Sequence, residues 1–191
     1  MPTTSTIAAI FVSTALSVAR ASDVTVHCHN EARIPAAKAL AQAIETANSA
    51  MRRAEVKVQW VNCYVEPQQC RSADALEVSI VETMSDVRTT SFSMGYSLLP
   101  QTGDGVYAKV MWNRVRQYAR MFDLPAAKVL GNAIAHEIGH LLLGSGEHSR
   151  VGIMKAQWSG TEKVALVGGR LEFQGHEAAR MRRRIAEMGK K

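Results

Sequence analysis

His136-Glu137-Ile138-Gly139-His140 sets two imidazoles and a carboxylate at a spacing that can do chemistry. On a helix, four residues turn by about 400°, so both rings leave one face about one turn apart. Two ligands of a single Zn2+ need that separation. Glu137 projects roughly 100° further round, beside the metal rather than at it. A carboxylate there can take a proton from a zinc-bound water, whose pKa zinc lowers towards neutrality. The same ion can polarise a peptide carbonyl.

Five residues alone are a modest signal, because the pattern also arises by chance on surface helices. The flanks speak against that reading. Ala133, Ile134, Ala135, Ile138, Leu141, Leu142 and Leu143 make the segment apolar around most of its circumference, which implies burial. Two histidines and a glutamate buried without partners would cost roughly several kcal/mol, and a metal ion supplies those partners.

A tetrahedral hydrolytic site needs a third protein ligand, with water in the fourth position. His148 is the best candidate. Gly144 can end the helix with positive φ and turn the chain back. Glu147, Glu162, Glu172 and His176 compete for the same role. Met154 follows Gly152 and can pack beneath a metal site from a tight turn; filling the core is its simpler role. Tyr96, Tyr107 or His176 can help to stabilise an oxyanion, and the spacing singles out none of them.

Together, His136-Glu137-x-x-His140, Gly144, His148 and Met154 resemble the metzincin clan of zinc metallopeptidases. The pair His148-Ser149 is similar to matrixins. The stretch from His136 to Met154, with Trp158, resembles small exported bacterial proteins of metzincin type. The resemblance implies a zincin-like fold, with His136, His140 and His148 as zinc ligands. It also implies Glu137 as general base and Met154 as the methionine of the turn beneath the metal. Gly144 and His148 stand eight and twelve residues after His136, later than the clan places them, so a wider loop is expected.

Elements upstream must position this helix. Asp23 to Cys28 alternates polar and apolar and predicts a strand. A helix is expected from about Glu31 to Ala54, with Ile34, Leu40, Ile44 and Met51 on one face and Pro35 in its first turn. Glu55–Val61, Leu76–Val81, Phe92–Leu98 and Val106–Met111 read as strands, with a turn over Gln101–Gly105. A helix is expected from Trp112 to Met121. Asp123 is a candidate N-cap for the helix that ends at Gly144. Loop should follow from Ser145 to Gly160, then a short strand at Leu171–Phe173 and a helix over Gly175–Glu187. This order predicts an α+β domain, a mixed twisted sheet with packed helices. By analogy with the clan, Phe92–Leu98 could add an extended substrate as a strand; an ordinary edge strand is the simpler reading.

The chain has 191 residues, enough for one domain with a hydrophobic core. Residues 1–21 read as a signal peptide. A short apolar run from Ile7 to Ala19 ends in Ala19-Arg20-Ala21, although no Lys or Arg precedes it. The mature domain would then span residues 22–191. No other apolar stretch is long enough to cross a membrane. Export permits disulfides, and the three cysteines leave at least one thiol over. Cys63 with Cys70, or Cys28 with Cys63, are both open pairings. In His27-Cys28-His29 the two histidines share a strand face and Cys28 points away, which argues against a metal cluster of those three. The net charge of +6 gathers at Arg180, Arg182, Arg183, Arg184, Lys190 and Lys191. With no interleaved aromatics, this reads as a solvated helix face, not a nucleic-acid site.

The expected function is a secreted or periplasmic zinc endopeptidase, acting as a monomer on peptide or protein substrates. Two alternatives stand beside it: a non-catalytic zinc-binding module of zincin-like fold, and a zinc hydrolase with a carboxylate such as Glu172 as third ligand.

Overall fold

The computed structural model describes residues 22–34, 37–71, 74–83, 93–102 and 105–188. The expected signal peptide, Pro35, Phe92 and part of the turn at 101–105 lie outside them.

Alternating side chains build the sheet. β1 (Ser22–Asn30), β2 (Val56–Asn62), β3 (Leu76–Val81), β4 (Gly95–Leu98) and β5 (Tyr107–Met111) form one sheet in the order β2-β1-β3-β5-β4. β1 runs parallel to β2 and β3, and β3 parallel to β5. Among the described strands only β4 is antiparallel, paired to β5 at the sheet's edge. Val24, Val26 and Cys28, with Val56, Val58, Leu76, Val78, Ile80, Ala108 and Val110, form the core face. Thr25, His27 and His29 fall on the opposite face by the two-residue period of a strand.

Helices cover the core face. α1 (Ala37–Arg53) offers Ala43, Ala47, Ala50 and Met51. α2 (Trp112–Met121) packs on α3 (Ala126–Leu143). α3 also packs on α1, so closely that a Cβ at Gly131 would sit 2.3 Å from the Ala43 carbonyl oxygen. Small residues at that crossing let α3 lie deep, buried almost all round as its composition demands. α5 (Gly175–Met188) carries Arg180, Arg182, Arg183 and Arg184 of the basic cluster on a mostly solvated face, while Lys190 and Lys191 lie outside the described residues; Arg182 donates to the Ala54 carbonyl at 2.8 Å.

Three local expectations are corrected. Asp123 does not cap α3: Pro125 occupies that position, and Asp123 takes a left-handed conformation (φ 50°) in the preceding turn. Leu171–Phe173 forms no strand. Leu171 and Phe173 are buried, but the only strand-like bond found there runs from the Ile153 N–H to the Glu172 carbonyl, at 2.9 Å. An unexpected helix, α4 (Gly160–Val167), begins where the loop ends, closed by a capping box between Ser159 and Glu162. Cys63 and Cys70 form a disulfide, which leaves Cys28 as a buried free thiol. No described helix is long and apolar enough to cross a membrane.

Candidate metal centre

α3 presents His136 and His140 one turn apart, as their spacing requires. Each ring is fixed from behind. His136 Nδ1 lies 2.7 Å from the Ile153 carbonyl oxygen, and His140 Nδ1 lies 2.8 Å from that of Ser145. A carbonyl only accepts, so both Nδ1 atoms carry the proton and both Nε2 atoms present lone pairs. Those two Nε2 atoms face each other at 3.0 Å.

Gly144 ends α3 in the left-handed region, at φ 61°. The chain turns back there, as the sequence suggested, and brings His148 over the pair. Its ring centre is 5.3 Å from that of His136 and 4.9 Å from that of His140. One ring nitrogen from each of the three histidines lies within 4.8 Å of the others. Glu147, Glu162, Glu172 and His176 are not in this cluster. Glu162 is engaged by Lys155 and Ser159 instead, at 2.8 and 2.7 Å, which holds its carboxyl down at about 2.

Burial pushes His136 down to about 3, helped by the neighbouring His140, and lowers His140 and His148 as well. Neutral rings with converging lone pairs repel one another unless a cation lies between them. The donor set therefore fits a metal ion, and three imidazole nitrogens suit zinc.

The turn beneath is built by the loop after His148. Ser149 N–H donates to the Met154 carbonyl at 2.8 Å, and Gly152 takes φ 81°. Met154 is fully buried under α3, and a Cβ at Gly139 would meet its sulfur at 2.5 Å. Trp158 Nε1 shares the Ile153 carbonyl with His136, at 3.1 Å. Ser149 Oγ donates to the buried Glu177, whose other oxygen accepts from the Gln174 N–H.

Glu137 lines a cleft of about 470 Å³ together with the three histidines, Tyr96, Lys155 and Trp158. Desolvation raises its carboxyl to about 7, opposed by Ser97. Ser97 Oγ lies 2.7 Å from Glu137 Oε2 and 3.0 Å from the Glu137 carbonyl oxygen. Gly95 is the other neighbour: a Cβ there would fall 2.6 Å from Glu137 Oε1. Sequence reasoning missed both residues. Their strand was foreseen, but nothing in the sequence says that it passes beside Glu137. Of the tyrosines, Tyr96 lines the cleft, whereas the Tyr107 hydroxyl lies 3.3 Å from Ser79 Oγ. His176 is exposed at the start of α5 and does not line the cleft.

The fold is that of known peptidase structures. An archaemetzincin from Methanopyrus kandleri matches with a TM-score of 0.57 and 14% identity, over 88% of this chain and 99% of that one. A zinc-dependent peptidase from Methanocorpusculum labreanum matches with a TM-score of 0.54 and 13% identity, over 82% of this chain and 99% of that one. No family model matches the chain, and neither does any curated protein. At such identities the likeness shows the fold alone.

Proposed function

We propose that the chain is a zinc-dependent endopeptidase of metzincin type. Residues 1–21 would act as an export signal, and residues 22–191 as the secreted or periplasmic enzyme, a monomer that cleaves peptides or proteins. One observation carries the reading. Two imidazoles with committed Nδ1 protons aim their Nε2 atoms at each other across 3.0 Å, with a third histidine above and a buried glutamate beside them. That one structure of the same fold is described as a zinc-dependent peptidase agrees with it.

His136, His140 and His148 would hold the ion, their tautomers fixed by Ile153 and Ser145 for the first two. A bound zinc supplies positive charge that polarises a carbonyl and acidifies water. Glu137 takes the proton from water and passes it to the leaving amine, as general base and then general acid. Its raised pKa keeps it near the balance point between holding and releasing a proton at neutral pH. Ser97 holds the carboxylate's Oε2 so that Oε1 stays available. Among the described residues β4 pairs through one edge, and Ser93, Gly95 and Tyr96 line the cleft. An extended substrate would lie along that strand and add to the sheet.

The test is the metal content of the purified chain together with its cleavage of a diverse peptide library. Stoichiometric zinc with hydrolysis is expected. Glu137→Ala should keep the zinc and lose at least ~100-fold in kcat/KM. A chain without zinc sinks the proposal. Zinc without cleavage of any peptide favours a non-catalytic binding module.

A further inference from the structure

A second group of metal-binding side chains comes together on the other face of the sheet. β1 turns His27 away from the helical core, yet His27 is fully buried. Its Nδ1 lies 2.7 Å from Glu77 Oε1, across the β1–β3 pairing. The other oxygen of Glu77 lies 2.6 Å from His29 Nε2, so the carboxylate is held from both sides. His27 Nε2 is buried with no hydrogen-bond partner among the described residues. Leaving such an atom unsatisfied costs roughly 1–3 kcal/mol, so its persistence calls for a reason.

The neighbours supply one. A ring nitrogen of His27 and the sulfurs of Cys63 and Cys70 all lie within 4.8 Å of one another. Cys63 leaves the end of β2, tied to β1 by its N–H bond to the Cys28 carbonyl at 3.1 Å. Cys70 closes the short loop that follows. The two sulfurs are joined here, with the Cα atoms 5.7 Å apart. While joined they cannot bind a metal; separated, they would stand beside an imidazole whose Nε2 has no partner among the described residues.

We propose that reduction of the Cys63–Cys70 disulfide opens a second metal site, where both thiolates and His27 Nε2 bind one zinc ion. A dithiol reductant would supply two electrons and two protons to the S–S bond and become a disulfide itself. Zinc binding then breaks two S–H bonds, forms two Zn–S bonds and one Zn–N bond, and releases two protons. A disulfide oxidant reverses the change: it takes two electrons from the two thiolates and two protons from solvent to become a dithiol, the S–S bond re-forms and the ion is released. Two thiolates and an imidazole suit zinc in a tetrahedron whose fourth position takes water. Glu77 accepts a hydrogen bond from His27 Nδ1 and so leaves Nε2 with its lone pair free to bind, the usual role of a carboxylate behind a metal-binding histidine. Cys70 is half-buried, so ion and reductant have access from its side. Cys28 cannot stand in for either of them. It faces the helical core, where burial pushes its thiol up to about 12.

The test uses the full chain carrying Cys28→Ser, oxidised or reduced with a dithiol that is then removed without air, and titrated with Co2+. The reduced chain should take one further equivalent and show a thiolate-to-cobalt charge-transfer band. The three-histidine centre holds no sulfur and gives no such band, so this readout stands whether or not the peptidase reading does. His27→Gln should weaken the band-forming site by more than the ~10–100-fold that loss of an outer partner costs. Glu77→Gln, which leaves all three donors, should weaken it by ~10–100-fold. A reduced chain with no band and no further equivalent overturns the proposal, and the disulfide is then only a clamp over His27. A band of unchanged affinity in His27→Gln overturns it as well. Unchanged affinity in Glu77→Gln removes Glu77 from it.

Discussion

Gly139→Ala probes how tightly the metal-facing helix is tied to the turn beneath it. The added Cβ would lie 2.5 Å from Met154 Sδ and 2.8 Å from Phe173 Cε1. Ordinary carbon contacts lie at ~3.5–4.0 Å, so about 1 Å must be found on two sides at once. Both neighbours are buried. Met154 can turn its side chain, but its backbone is held by Ser149, and the adjacent Ile153 carbonyl by His136 and Trp158. Overpacking of this kind costs ~1–3 kcal/mol, while alanine recovers ~1 kcal/mol of helix propensity. From the middle of that range a net loss of about 1 kcal/mol is expected. At this chain length that lowers Tm by roughly 2–4 °C. The assay is thermal unfolding of the metal-free chain by circular dichroism, followed by a zinc titration. Zinc affinity should fall ~10-fold, because the helix can only yield by straining the His136–Ile153 bond. Met154→Ala alone should cost ~2–4 kcal/mol. Combined with Gly139→Ala it should be less harmful than the sum by ~1 kcal/mol. A Tm equal to or above that of the parent, or strict additivity in the double variant, refutes the packing argument.

Other consequences are direct. Ser97→Ala removes a hydrogen bond that favours the charged form of Glu137, so the acid limb of the kcat/KM profile should move to higher pH; a limb that stays put or moves down contradicts the positioning role. His148→Ala should abolish tight zinc binding and Glu172→Ala should leave it intact; isothermal titration giving the reverse would reassign the third ligand. Glu162 is held at about 2 against an ordinary 4.5, so its contribution is present above the ordinary value and lost as pH falls from there towards 2. Glu162→Gln should therefore flatten that part of the acid-unfolding curve and cost ~1–2 kcal/mol at neutral pH, checked by urea unfolding at a series of pH values.

Features that follow from local backbone geometry are legible in the chain before it folds. The helical repeat is fixed by covalent structure, so His136 and His140 had to share a face and Glu137 had to stand beside it. The apolar flanks had to bury that helix, and Gly144 was free to turn the chain. The strand period likewise put His27 and His29 on one face and Cys28 on the other. The S-x-x-E spacing of Ser159 and Glu162 encodes the capping box that opens α4, and Pro125, not Asp123, holds the cap position of α3. The remaining features arise only once distant segments pack together. That His148 reaches the pair depends on the path of a loop, and that Ser97 and Gly95 frame Glu137 depends on β4 lying against α3. The closure of Cys63 on Cys70 over His27, and the seating of Glu77 between His27 and His29, depend on how β1, β2 and β3 pair. Contacts between distant segments are set by packing the whole core at once, and no short spacing in the chain encodes that.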